Sequence, residues 1–272
     1  MAPVLLTEDP LPRVRRLVLN RPAKRNALND ELRGALFDQL RAADADPEVS
    51  VVIISGAGDC FSAGYDLGER ATPVERSAAT GDGWWARHVV QNWFEMWDMS
   101  TPLIAQVHGW CLAGGSELAT ACDLVYVADD AKIGYPPVRS MSAPDMAWQP
   151  WLLGMRRGME ALLTGNATSG KEAAELGFAT RSFPADTLAE ETLRIATQIA
   201  EVPIDLLAIN KRVCHRAMEA AGIRNGLRAT AELNALGFHQ RSSRAYMQAF
   251  KEKGVKANLS SRDRAFGDYR EE

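Results

Sequence analysis

Apolar positions along the chain cluster at two different spacings, and the two alternate in a strand–helix–strand order. "VRRLVLN" (Val14–Asn20) alternates well enough for a strand, and Pro22 follows it. In "NDELRGALFDQLRAAD", Leu32, Leu36, Phe37 and Leu40 recur at helical spacing behind Asn29. Asn29 is suited to cap the helix start, because its side chain can accept from first-turn amides. "VSVVIISGAG" (Val49–Gly58) predicts a short buried strand running into a glycine turn. "WWARHVVQNWFEMWDM" sets Trp85, Val89, Trp93 or Phe94, Met96 and Trp97 on one helical stripe. After it, "TPLIAQVHG" predicts a strand, "GGSELATACD" a short helix and "LVYVAD" another strand. Two such units predict an α/β protein.

From about residue 143 the pattern turns mostly helical. In "SGKEAAELG" Ser169 marks a helix cap and Gly177 its stop. "ATRSFP" predicts a last short strand, and from Asp186 to residue 250 helix follows helix, with Pro203 at a first turn. The polar segment 70–83, rich in Ala, Thr, Gly and Arg, predicts a mobile loop. The polar tail from Gly254 onward is expected to be ordered in part by a partner subunit.

The chain of 272 residues fits one large domain, or a main domain with a smaller appendage. At 46% hydrophobic and 24% charged it reads as an ordinary globular protein. A net charge of −4, with no Arg/Lys-rich segment interleaved with aromatics, argues against general nucleic-acid affinity, including RNA binding. Cys60, Cys111, Cys122 and Cys214 lack C-x-x-C spacing and the four histidines are scattered, so no zinc site is expected. The cysteines read as small hydrophobes in a reducing compartment. The N-terminus lacks a basic region and a sufficient apolar run for a signal peptide, and no stretch is long enough for a membrane span. The expected location is cytoplasmic.

"HGWCLAGGSELATACDL" (108–124) puts Ala113-Gly114-Gly115-Ser116 and a lone acid, Glu117, into an apolar run. A buried carboxylate is costly unless it is paired, hydrogen-bonded or protonated, and proteins keep one for chemistry or for a structural ion pair. "CFSAGYDL" (Cys60–Leu67) is a second small-residue turn behind a strand, where the backbone can approach a ligand closely. A helix starting near Gly114 leaves its first N–H groups without intrahelical acceptors. Two such turns side by side could aim two N–H groups at one oxygen, an oxyanion hole for a developing enolate or alkoxide.

Taken together, "RPAKRNALND", "GAGDCFSAGYDL", "PLIAQVHGWCLAGGSELATACDLVYVADDAKIGYP" and "LLTGNATSGKEAAELGFATRSFP" resemble the crotonase superfamily, the enoyl-CoA hydratases and isomerases, from about residue 10 to 250. The resemblance implies an α/β crotonase-type spiral of ββα units over 1–195. It implies a C-terminal helical trimerisation region over 196–272, and a homo-trimer or dimer of trimers. It further implies an acyl-CoA substrate with no permanently bound cofactor, coenzyme A entering as part of the substrate. The N–H groups of Tyr65 and Gly114 would polarise the thioester carbonyl, and Glu117 falls where hydratases keep one catalytic glutamate. Arg25, Ala27 and Leu28 would border the CoA, as would Ala63, Asp66 and Leu67, with Arg25 reaching toward a phosphate.

One departure stands out. Hydratases of this kind carry a second glutamate shortly after the strand containing Ile133 and Gly134, and here that position is Pro137, which exchanges no proton. Asp145 lies eight residues further on, where dienoyl-CoA isomerases and aryl-CoA dehalogenases of the superfamily keep an acid. It is read either as the second acid or as a helix cap. The dehalogenase reading lacks an aligned histidine base; His88 is read as a surface or pocket-rim residue, and His108 and His215 as structural. Trp84, Trp85, Trp93, Trp97, Trp148 and Trp151 either pack the core and subunit contacts or shape a broad apolar acyl pocket. The resemblance points to an enzyme that stabilises an enolate of an acyl-CoA thioester, with Glu117 transferring the proton. It leaves hydration and isomerisation unresolved, Pro137 favouring the latter, and non-catalytic acyl-CoA binding is the alternative.

Overall fold

The computed structural model describes residues 2–68, 84–267 and 269; the loop expected over 70–83 lies outside them. The chain begins with β1 (Leu5–Leu11) and β2 (Val14–Leu19), an antiparallel hairpin, followed by α1 (Asp30–Asp44) and β3 (Val51–Gly56). Next come α2 (Trp84–Asp98), β4 (Leu103–Val107), β5 (Trp110–Leu112), α3 (Gly114–Ala121), β6 (Leu124–Ala128) and β7 (Lys132–Gly134). A mainly helical half follows: α4 (Gln149–Leu152), α5 (Gly154–Thr164), β8 (Thr168–Ser169), α6 (Gly170–Leu176) and β9 (Arg181–Phe183). It closes with α7 (Leu188–Ala200), α8 (Ile204–Ala220), α9 (Ile223–Phe238), α10 (Arg241–Lys253) and α11 (Val255–Asp263).

One sheet runs β1-β2-β3-β4-β6-β9, parallel from β2 onward, and a second, small sheet runs β5-β7-β8. Each strand of the pairs β4/β5 and β6/β7 therefore lies in a different sheet, so the chain steps sideways between two layers. Val51, Val52, Ile53 and Ile54 of β3 are fully buried, so both faces of this central parallel strand are covered, α7 packing on one of them, which explains its unbroken apolar run. The helix starts follow their caps. The Asn29 side chain accepts from Leu32 N at 3.0 Å, and Ser169 and Glu172 form a reciprocal capping box, closed at the other end by Gly177 in the left-handed conformation (φ +92°).

Three strands went unread in the sequence, among them β8, whose two residues show no period. β1 is an edge strand, mostly solvent-facing and carrying Pro10, so it lacks the apolar alternation of an interior strand. β5 has three residues, too few to show a period. The divide expected at residues 195/196 falls inside α7. The described part of the tail forms α11 and docks on its own chain: Asp263 pairs with Arg139 at 3.0 Å, and the Tyr269 hydroxyl donates to Gly165 O at 2.7 Å.

Candidate active site

The turn 60–67 is bound on both sides by main-chain hydrogen bonds. Toward β5, Ser62 N donates to Trp110 O (3.0 Å) and Leu112 N to Ser62 O (3.0 Å). Toward the loop after β2, Ala63 N donates to Arg25 O (2.9 Å), Leu28 N to Gly64 O (2.8 Å) and Asp66 N to Leu28 O (3.2 Å). The segments 25–28, 62–66 and 110–112 thus lie side by side. Asn26 fixes the first of them. It is fully buried at φ +52°, accepts from Arg21 N, and donates to Ala57 O and Cys60 O at 2.8 Å each.

This arrangement brings Tyr65 against Gly114. Gly64 has φ +98°, and a Cβ there would lie 2.8 Å from Leu112 O and 3.1 Å from Gly114 N. Only glycine lets the two turns approach this closely. On the other side Ala113, a non-glycine at φ +49°, turns the chain sharply from β5 into α3. Such strained backbone persists where surrounding contacts fix it, often at functional sites. Among the described residues, no acceptor takes the main-chain N–H of Tyr65 or of Gly114. The Tyr65 amide sits at the bridge position facing away from Leu28, and the Gly114 amide is the first of α3.

Glu117, one turn into α3, is fully buried. Its Oε2 accepts from the Tyr65 hydroxyl at 2.9 Å and its Oε1 from Met146 N at 3.1 Å, and the Tyr135 hydroxyl faces the same carboxyl. The Met146 bond places the neighbouring Asp145 beside Glu117. Asp145 is buried, takes a hydrogen bond from the Trp85 indole, and has an Oδ1 with no partner among the described residues. Burial pushes the Glu117 carboxyl well above the usual range, and the adjacent Asp145 adds to it; the three donors only partly oppose the rise. Burial pushes Asp145 up to about 7, against the pull of the Trp85 hydrogen bond and the Arg33 charge. Two neighbouring buried carboxyls influence each other's ionisation, and their titration steps belong to the pair.

The sequence-predicted residues converge here to different degrees. Tyr65, Gly114, Glu117 and Asp145 form one cluster. Ala27, Ala63 and Leu67 are half-buried along its rim, and Leu28 is buried with its amide and carbonyl engaged by the bridge to Gly64 and Asp66. Arg25 is exposed, at φ +51°. Asp66 pairs with Arg21 at 2.8 Å and accepts from Gly68 N, so its carboxylate braces the turn. Pro137 sits in a single 3-10 turn, Pro136–Arg139, and supplies no acid.

Sequence reasoning missed four contributors: the Tyr65 side chain, Tyr135, Trp85 as a hydrogen-bond donor, and Arg33. Arg33 is buried on α1, with its guanidinium 4.8 Å from the Trp85 ring centroid and 5.9 Å from that of Tyr65. A phenol directly before the Pro-Pro turn was a usable hint for Tyr135; a lone Arg on an amphipathic helix gave none. His108 and His215 are tied to Gly58 O and Asp123, and His88 stacks on Trp84. Among the described residues no three His, Cys, Asp or Glu side chains gather as metal ligands do, and no helix is long and apolar enough to cross a membrane.

The sequence model of one family, enoyl-CoA hydratase/isomerase, matches residues 13–259. Among curated proteins, the probable enoyl-CoA hydratase of Mycobacterium bovis is 32% identical over 244 residues, 89% of this chain and 92% of that protein. The 2,3-dehydroadipyl-CoA hydratase of Escherichia coli is 32% identical over 77% of this chain and 81% of its own length. Among solved structures, an enoyl-CoA hydratase from Mycobacterium smegmatis superposes with a TM-score of 0.90 at 29% identity, covering 98% of this chain and 95% of that one.

Proposed function

Since the chain belongs to the enoyl-CoA hydratase/isomerase family, we propose that it adds water across the double bond of a 2-enoyl-CoA thioester. The observation that carries this reading is the pair of acceptor-free amides on two abutting turns, with a buried pair of carboxyls beside them. The amides of Tyr65 and Gly114 receive the thioester oxygen and stabilise the enolate that forms as the double bond is attacked. Each such donor is worth about 3 kcal/mol of barrier.

The carboxyl pair supplies the proton traffic. Glu117, whose carboxyl burial raises well above the usual range, gives a proton to the α carbon. Asp145, whose Oδ1 has no partner among the described residues, takes a proton from the attacking water, and that proton returns to the adjacent Glu117 before the next turnover. Asp145 thus fills the role that Pro137 vacates, which favours hydration over a double-bond shift by one carboxylate. The bordering residues Arg25, Ala27, Leu28, Ala63, Asp66 and Leu67 form the approach for the CoA portion in this reading.

Glu117→Gln tests it, with turnover of 2-enoyl-CoA thioesters followed in deuterated water and product mass read out. The expected result is a kcat loss of about 10²- to 10⁴-fold with thioester binding retained. Unchanged turnover in the variant would remove Glu117 from the chemistry, and no turnover of any enoyl-CoA by the wild type, with thioester binding retained, would assign an acyl-CoA-binding role instead. Label incorporation without added water mass would assign isomerisation instead. We further propose that copies of the chain associate through the helical half, where Met155 (78% exposed), Met159 and Leu163 (75%) line one face of α5. A trimer or dimer of trimers, checked by light scattering, is the expected state.

A further inference from the structure

The Tyr65 side chain is oriented as specifically as its amide. Its hydroxyl reaches Glu117 Oε2 at 2.9 Å, and its ring lies flat against Gly114, where a Cβ would come within 2.6–2.8 Å of three ring atoms. Trp85 meets that ring edge-on at a centroid distance of 5.1 Å, and the Arg33 guanidinium lies beyond both. The ring is therefore held between α3 and α2, with little rotational freedom. Its main chain is held too, by the bridge to Leu28.

We propose that Tyr65 is a positioning residue for Glu117, linking the thioester-binding amide to the proton-transferring acid through one rigid side chain. The proposal rests on the hydration reading above and deepens it. Met146 N holds Oε1 and the Tyr135 hydroxyl also reaches the carboxyl, while the Tyr65 phenol holds Oε2 and so adds to the restraint on its last torsion. A carbonyl seated on the Tyr65 amide is then registered to Glu117 through a single residue, so polarisation and proton delivery keep a fixed geometry. Alignment of this kind governs kcat more than ground-state binding. Ionisable groups facing the carboxyl are Tyr65 itself, Tyr135 from the turn after β7 and Asp145 ahead of α4, with Arg33 of α1 behind the Tyr65 ring. Burial pushes the Tyr65 phenol well above its usual range and keeps it a neutral donor.

Tyr65→Phe removes the hydroxyl and keeps the ring, its Trp85 contact and the amide. The expected result is a kcat lower by about 10- to 100-fold with KM changed less than about 3-fold. The Tyr65 hydrogen bond opposes the rise of the Glu117 pKa, so its removal moves the alkaline limb of the rate profile to higher pH. In a Glu117→Gln background the same substitution is expected to cause no further loss, since it acts through Glu117. Wild-type kcat and an unmoved alkaline limb in Tyr65→Phe, with Glu117→Gln inactive, would overturn this proposal and leave the hydration reading intact. An equal loss in both backgrounds would also overturn it. Full activity of Glu117→Gln would instead remove the reading on which it rests.

Discussion

Asp145→Asn separates chemistry from stability at a single buried carboxyl. An aspartate in the unfolded chain titrates near 3.9, and burial raises Asp145 to about 7 in the folded protein. Between those values the unfolded chain has released the proton while the folded chain still holds it, so raising the pH favours unfolding. The gap is about 3 pK units at about 1.4 kcal/mol each, so Asp145 removes roughly 4 kcal/mol of stability between pH 4 and pH 7. Asparagine carries no such titration. Its amide inherits the partnerless position of Oδ1, at a cost of about 1–3 kcal/mol that is the same at every pH. Urea unfolding of both proteins at pH 5 and pH 8 isolates the effect. The variant is expected to gain on the wild type by about 2–3 kcal/mol between the two pH values. Its turnover is expected to fall about 10²- to 10⁴-fold, and the acid limb of kcat/KM near pH 7 to disappear with the base. Parallel stability curves for the two proteins, or an acid limb that survives the substitution, would refute the placement of an ionising acid at this position.

Two other perturbations probe the scaffold around it. Gly114→Ala keeps the amide but sets a methyl 2.6–2.8 Å from three atoms of the Tyr65 ring, which must move and release Glu117. Steady-state kinetics are expected to show kcat down by about 10²- to 10³-fold, with thioester binding by calorimetry changed much less. Arg139→Met breaks a buried pair whose side chains are 1% and 7% exposed, and loses the bond to Thr164 O at 2.8 Å and the stacking on Phe266 at 3.8 Å. Asp263 retains Arg262, so the loss is expected near the low end for such pairs, about 3 kcal/mol by urea unfolding, with earlier protease cleavage in α11.

The amino-acid pattern by itself determined the alternation of strands and helices, the caps at Asn29 and Ser169, the stop at Gly177, and the two small-residue turns. Each of these is a local preference: a period of two or 3.6, an oxygen near first-turn amides, a residue free to adopt positive φ. It singled out the Gly114 turn and Glu117, because small residues and a lone acid in an apolar run are costly enough to stand out, while Tyr65 and Asp145 came only from the resemblance to the family. β1, β5 and β8 escaped it, the first exposed at an edge and the others three and two residues long. What only the tertiary structure decided is how these residues meet. Asp145 stands 28 positions from Glu117 and is brought beside it by one main-chain bond from Met146, while Tyr65, Tyr135, Trp85 and Arg33 arrive from four other segments. Raised carboxyls and a phenol bonded to one of them arise from proximity in a buried interior, and sequence spacing carries no record of either distance or burial.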